Sequence, residues 1–69
     1  MKVNGAALRA IRQRSGVTVT SLAESVGIKQ SHLSNIEAGR RNASEDVIVS
    51  LAQSLKVELP AILCDPEAA

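Results

Sequence analysis

Hydrophobic residues along the chain recur with the spacing of α-helices. In four stretches the apolar side chains stand three or four positions apart, and polar side chains occupy the positions between them. This spacing gives each helix one apolar stripe that can face a shared core. The stripes are Ala7, Leu8 and Ile11; Leu22, Ala23 and Val26; Leu33 and Ile36; and Ile48, Leu51, Ala52 and Leu55. A fifth, short helix is predicted over the last apolar residues, Leu59, Pro60, Ile62 and Leu63.

Capping residues divide the chain into these helices. Side chains that favour a helix N-terminus precede three of the stripes, at Asn4, Thr18 and Ser44. Glycines that can adopt a left-handed conformation follow the first three, at Gly16, Gly27 and Gly39. The third helix is expected to run from about residue 30 to residue 38, and no stretch alternates with the period of a strand. The predicted fold is all-α: one compact five-helix domain over residues 1–64, with residues 65–69 as a short flexible tail.

The composition excludes several classes of function. The chain has no Phe, Tyr or Trp, so it cannot stack single-stranded bases on aromatic rings. It has no glycine-rich phosphate loop, no pair of histidines with metal-ligand spacing and no recognisable nucleophile and base. We therefore predict that it is not an enzyme and that it has no metal, cofactor or small-molecule ligand.

Cysteine usage and hydropathy indicate a cytoplasmic protein. Cys64 stands alone and cannot form an internal disulfide, and we expect it to be a small apolar residue of the last helix. No apolar run approaches the roughly 18 residues that span a membrane, and the N-terminus lacks the apolar core of a signal peptide.

Charge is distributed unevenly although the net charge is only +1. Residues 1–41 hold seven of the eight lysines and arginines but two of the seven acidic residues. A basic half joined to an acidic half is compatible with a polyanionic partner on one side. Ordinary solvated charge explains the same distribution equally well.

The segment from Thr18 to Glu37 predicts two short helices that meet at a turn. Gly27 allows the turn, Ala23 is small where the helices approach, and the apolar residues form a wedge between them. This pattern resembles the helix-turn-helix of the phage lambda repressor–Cro type. The resemblance extends from residue 8 to residue 63, because the first helix, the "IEAGRRN" segment and the last two helices match in order and spacing.

The resemblance implies that the third helix lies in the major groove of DNA. The residues that it implies as base readers are Gln30, Ser31, Ser34 and Asn35. Among these, Gln30 and Asn35 carry amides that can pair bidentately with adenine. The residues implied at phosphate or solvent are Thr18, Lys29, His32, Arg40, Arg41 and Asn42. Arg12 and Glu37 correspond to a family pair in which the glutamate orients the arginine.

Three residues depart from the family pattern. Val19 stands where the family often has a phosphate-binding glutamine, and Ser21 stands where a glutamate often completes a capping box. Lys29 replaces the usual serine or threonine cap, so the third helix is expected to begin at Gln30 or Ser31.

Two functions follow from the resemblance. The first is a sequence-specific regulator of transcription, a repressor, that binds double-stranded DNA. The second is a protein-interaction module of the same fold, such as an antitoxin or a modulator of another regulator. Arginines on the implied DNA side favour the first function: Arg9, Arg12, Arg14, Arg40 and Arg41.

The resemblance also implies a two-fold assembly. Such domains usually bind inverted-repeat operators as dimers, and here we expect a weak homodimer or a monomer that pairs on DNA. The candidate interface residues are Leu59, Ile62 and Leu63, which can equally close the monomer's own core.

Overall fold

The computed structural model describes residues 2–64 and contains four α-helices. They are α1 (Gly5–Arg14), α2 (Val19–Val26), α3 (Gln30–Glu37) and α4 (Glu45–Leu55). The predicted all-α class is confirmed for this part of the chain. The predicted tail, residues 65–69, lies outside the described residues.

The prediction of a fifth α-helix is wrong. Residues Leu59–Ile62 form a single 3₁₀ turn. Its hydrogen bonds span three residues, from Ala61 N–H to the carbonyl of Glu58 at 2.9 Å, and Pro60 contributes no N–H. Leu63 is already extended, with φ −106° and ψ 150°, because the chain turns there to meet its own beginning.

Side-chain caps fix the start of three helices. The side chain of Asn4 accepts a hydrogen bond from Ala7 N–H at 3.1 Å, and Thr18 accepts one from Ser21 N–H at 3.0 Å. Ser44 caps α4 in the same way. The third helix begins at Gln30, and its cap residue, Lys29, makes no side-chain capping bond. The start of α3 is therefore determined by the preceding turn and by packing.

The core lies where the inner faces of the four helices meet the 3₁₀ turn. Apolar side chains from every one of these elements are buried there: Leu8, Leu22, Ala23, Leu33, Ile36, Ile48, Leu51, Ala52, Leu55 and Ile62. Because α3 contributes two fully buried residues to this cluster, its position and its rotation about its own axis are fixed by the core.

The N-terminus of α1 lies against the C-terminus of α3. Gly5 is buried, and a Cβ atom built on it would lie 2.6 Å from the carbonyl oxygen of Glu37 and would also contact the carbonyl oxygen of Ile36. Only glycine leaves room for the two backbones to approach so closely. This contact joins the first helix directly to the last turn of α3.

The two ends of the described chain are held together by an isolated antiparallel bridge between Val3 and Leu63. Asn4 N–H donates to the carbonyl of Ile62 at 2.7 Å, and Cys64 N–H donates to the carbonyl of Lys2 at 2.9 Å. The sequence predicted no strands, and residues 2–64 form none, but the bridge itself was not foreseen.

Candidate nucleic-acid interface

A left-handed turn at Gly27 sets the angle between α2 and α3. Gly27 has φ 78° and ψ 30°, and its N–H bonds to carbonyls in the last turn of α2. Ile28 N–H donates to the carbonyl of Ala23 at 3.0 Å, which closes the turn. Leu22 and Ala23 are buried on α2, as Leu33 is on α3. The α2–turn–α3 unit therefore has the helix-turn-helix form that the sequence predicts.

The outer face of α3 carries the four predicted base readers. Gln30, Ser31 and Ser34 are exposed and Asn35 is half-buried, whereas Leu33 is fully buried. At 100° per residue, the four polar positions share one side of the helix and the buried positions occupy the other. The structure thus brings the predicted readers together on one accessible polar face.

The C-terminus of α3 is closed by hydrogen bonds to Asn35. Its backbone carbonyl accepts from Arg40 N–H at 3.0 Å and from Arg41 N–H at 3.3 Å. Its side-chain oxygen Oδ1 accepts from Arg40 Nη1 at 3.3 Å. Gly39 has φ 80°, which turns the chain back toward the helix and makes these bonds possible. Sequence reasoning did not foresee the contact between these two side chains.

An ion pair joins α1 to the end of α3. Arg12 Nε lies 2.7 Å from Glu37 Oε2, and Arg12 Nη2 lies 3.1 Å from Oε1, which makes the pair bidentate. Nη1 of the same arginine donates to the carbonyl of Val17 at 2.9 Å. The two side chains are only 12% and 7% exposed, so the pair is shielded from solvent and is stronger than a surface pair.

The structure brings Arg12 and Glu37 together as the resemblance implied, while their effect on DNA contacts stays a prediction. The hydrogen bond to the Val17 carbonyl was not foreseen. It also ties the α1–α2 loop to the pair, immediately before the cap of α2 at Thr18.

A cleft of about 270 Å³ lies beside this ion pair, between α1, α2 and α3. Its lining residues are Arg9, Arg12, Val19, Ser34, Glu37 and Ala38. The cleft thus combines the first residue of α2 with the polar face of α3. Arg9 is exposed and adds a cation that the resemblance did not assign to a particular role.

The remaining candidate phosphate contacts have different environments. Lys29 and Arg41 are exposed and His32 is half-buried. Thr18 is exposed, and its side-chain oxygen already accepts a hydrogen bond as the cap of α2. Asn42 is exposed, but its Oδ1 accepts from the N–H of Val3 at 3.0 Å. Asn42 therefore has a structural contact that the sequence did not indicate.

The candidate dimer residues divide into two groups. Ile62 is 0% exposed and belongs to the core of the monomer, so it offers no surface to a second copy. This corrects its place among the interface candidates. Leu59 and Leu63 are half-buried and stay candidates.

Residues 2–64 contain no group of three or more His, Cys, Asp and Glu side chains placed to hold a metal ion. Within the same range, no helix is both long enough and apolar enough to cross a membrane. Cys64 is half-buried, and its Sγ donates to the carbonyl of Val3 at 3.7 Å.

Comparison with known proteins decides the family. Residues 5–61 match the family described as "Helix-turn-helix domain". The chain belongs to this helix-turn-helix family. Its structural neighbours are regulators of the lambda repressor–Cro type, so the resemblance stated from the sequence is confirmed. The family is one of DNA-binding regulators and not of enzymes.

Three relatives illustrate the range of this helix-turn-helix family. Antitoxin HipB of Escherichia coli O6:H1 is 41% identical in an alignment of 68 residues that covers 91% of this chain and 70% of that protein. HipB of Escherichia coli K12 is 39% identical over 59 residues, which are 86% of this chain and 65% of that protein. The restriction-modification controller protein C.AhdI of Aeromonas hydrophila superposes with a TM-score of 0.79 at 33% identity, covering 83% of this chain and 86% of that one.

A further structural neighbour, SinR, is a master regulator for biofilm formation that was solved in two complexes. In its complex with DNA it superposes with a TM-score of 0.75 at 28% identity, covering 81% of this chain and 90% of that one. In its complex with SinI the TM-score is 0.81 at 26% identity, covering 94% of this chain and 70% of that one.

Proposed function

We propose that this chain is a sequence-specific regulator of transcription, a repressor, that binds double-stranded DNA with α3 in the major groove. The observation that carries the proposal is the polar outer face of α3, where amide and hydroxyl side chains lie side by side on a helix anchored in the core. Such side chains donate to and accept from base edges, and a fixed helix presents them in one register.

The roles of the readers follow from their side chains. Gln30 lies at the first position of α3, where the helix N-terminus approaches the bases in this type of domain. Its amide can donate and accept at the same time, which suits the major-groove edge of adenine. Ser31 and Ser34 add less selective hydroxyl contacts, and Asn35 lies one turn further along the same face.

Phosphate contacts on both sides of this face would position the domain. The N-terminus of α2 at Thr18 presents backbone N–H groups toward which an anion is attracted. Lys29 precedes α3, and Arg41 follows it in an exposed loop. His32 and Asn42 are weaker candidates, because His32 is half-buried and Asn42 holds Val3 through its Oδ1. Such contacts contribute affinity and salt dependence but no base preference.

The same proposal places the protein in the cytoplasm, as a weak homodimer on an inverted-repeat operator, without enzymatic activity or a cofactor. Leu59 and Leu63 are the proposed apolar contacts between copies, because both keep part of their surface exposed beside the 3₁₀ turn. A two-fold pair of α3 helices would then contact two half-sites about one helical turn apart.

The test is selection of bound sequences from a random duplex DNA library, followed by salt titration on the best site. We expect an inverted-repeat motif whose enrichment is lost at one position in Gln30→Ala. The control is Gln53→Ala, an exposed glutamine of α4, which should bind the parent motif unchanged. The absence of any enriched motif for the parent protein would refute sequence-specific binding.

A second function is favoured by two of the relatives. HipB is named as an antitoxin, and SinR was solved together with SinI. The alternative is therefore a protein-interaction module of this fold that acts through a protein partner. Binding to duplex DNA that is weak, steeply salt-dependent and without base preference would favour this alternative.

A further inference from the structure

The side chains of Asn35 and Arg40 form one unit at the C-terminal end of the polar face of α3. Nη1 of the arginine donates to Oδ1 of the asparagine at 3.3 Å, and Arg40 N–H donates to the backbone carbonyl of Asn35 at 3.0 Å. Two bonds between the same two residues hold the loop against the helix. Arg40 is exposed, so its guanidinium lies at the surface beside the amide.

This contact determines which way the Asn35 amide faces. A guanidinium has only donors, so only the oxygen of the amide can lie against it. The Nδ2 amino group must then occupy the other branch of the planar amide. A bidentate contact with adenine needs Nδ2 to donate to N7 and Oδ1 to accept from the N6 amino group. Oδ1 keeps a second lone pair, but the guanidinium beside it carries only N–H donors, so an approaching amino group meets donors of its own kind and is disfavoured there.

We propose that the Arg40–Asn35 contact determines base specificity by selecting guanine over adenine at the base pair that faces Asn35. Guanine offers only acceptors, N7 and O6, at the purine edge in the major groove. The Nδ2 group of Asn35 and the remaining N–H donors of Arg40 both suit such an edge. This inference rests on the proposed function, and it changes the predicted role of Arg40 from a phosphate contact to a positioning residue for Asn35.

The contrast with a phosphate contact is measurable. Removing an arginine that only binds phosphate weakens binding to all sequences alike and lowers the salt dependence of binding. An arginine that orients the asparagine amide changes the preferred base at one position. Base preference is therefore the readout that a purely structural or purely electrostatic role would not alter.

The experiment is selection from a random duplex library with the parent protein, Arg40→Ala, Arg40→Lys and Asn35→Ala. The matched control is Arg41→Ala, which removes the neighbouring exposed arginine of the same loop. Far-UV circular dichroism melts establish that each variant is folded, and substitutions at exposed positions such as Arg40 and Arg41 usually change stability little.

We expect the parent to select guanine at one position of each half-site and Arg40→Ala to select adenine there. Arg40→Lys should keep guanine, because an ammonium group also has only donors. Asn35→Ala should lose preference at that position, and Arg41→Ala should bind the parent motif more weakly with the same bases. In titrations of two duplexes that differ at this base pair, the parent should prefer guanine by about tenfold, and Arg40→Ala should lose that preference.

Two results would overturn the inference, and they differ in what else they exclude. If Arg40→Ala selects the parent motif at every position and only binds more weakly, Arg40 is a phosphate contact and the proposed function stands. If the parent protein itself enriches no motif, both the inference and the proposed function fail.

Discussion

Replacing Gly5 with alanine tests the close contact between α1 and α3. The added Cβ would lie 2.6 Å from the carbonyl oxygen of Glu37 and would also contact that of Ile36. Both atoms belong to the backbone, so neither can rotate away as the end of a flexible side chain would. The two helices must move apart instead.

The size of the effect follows from this distance. Ordinary contact begins at 3.4 Å, so the contact with Glu37 alone requires the helices to separate by roughly 0.8 Å and the closer contact with Ile36 requires more, which a close-packed core resists. Overpacking of this kind costs about 1–3 kcal/mol. Alanine recovers about 0.5–1 kcal/mol, because glycine loses more backbone entropy in a helix. Since the obstacles are backbone atoms, we expect the upper part of the range and a net loss of about 2 kcal/mol.

A loss of this size is large for a domain of 69 residues, whose whole stability is expected to be about 3–10 kcal/mol. The assay is urea unfolding followed by far-UV circular dichroism. Gly16→Ala is the control, since Gly16 has φ +74° and no atom within 4 Å of a built Cβ. It should lose only about 1 kcal/mol, from the left-handed conformation. If Gly5→Ala unfolds at the same urea concentration as the parent, or is less destabilised than Gly16→Ala, the steric reasoning is refuted.

Substitutions at three further residues test other features of the structure. Glu37→Ala leaves the shielded Arg12 without its bidentate partner, so we expect a loss of about 3 kcal/mol in urea unfolding; a midpoint equal to that of the parent would contradict this. Lys56→Gly relieves the positive φ of 57° at the end of α4 and should raise the stability by about 1 kcal/mol; a lower melting temperature would count against it. Asn42→Ala should lose about 1–3 kcal/mol, because it leaves Val3 N–H without its acceptor. Asn42→Asp keeps an acceptor for Val3 N–H, so it should be less destabilised than Asn42→Ala while binding DNA more weakly in a salt titration. Equal destabilisation of both variants would argue against this role.

Local signals predicted most of the secondary structure. The caps at Asn4, Thr18 and Ser44 bond to N–H groups three residues away, so the sequence contains everything needed to foresee them. The 3₁₀ turn differs, because the same apolar residues suit an α-helix. The turn ends because Leu63 pairs with Val3, 60 positions earlier in the chain, and no local sequence pattern predicts this pairing.

The sequence predicted the polar face of the candidate interface but not the contacts that shape it. The polar side of α3 follows from its period, because Leu33 and Ile36 face the core and Ser31 then lies on the opposite side of the helix. The hydrogen bond between Asn35 and Arg40 depends on how the loop folds back after Gly39, which the sequence pattern does not show. The orientation of the amide depends on Oδ1 being the atom that accepts from Arg40. The requirement for glycine at position 5 likewise arises from backbone atoms 31 and 32 residues away.

The pairing of the two ends of residues 2–64 has a consequence for how this domain can be joined to others. The backbones of Lys2 and Cys64 are linked by a hydrogen bond of 2.9 Å, so segments attached before and after the fold depart from neighbouring points. A domain with this arrangement can be inserted into a surface loop of a host protein with little strain on either chain. It can also be circularly permuted by joining the old ends through a few flexible residues. In either case α3 would keep its surroundings, so the polar face of α3 could be transferred to another protein without a change in its geometry.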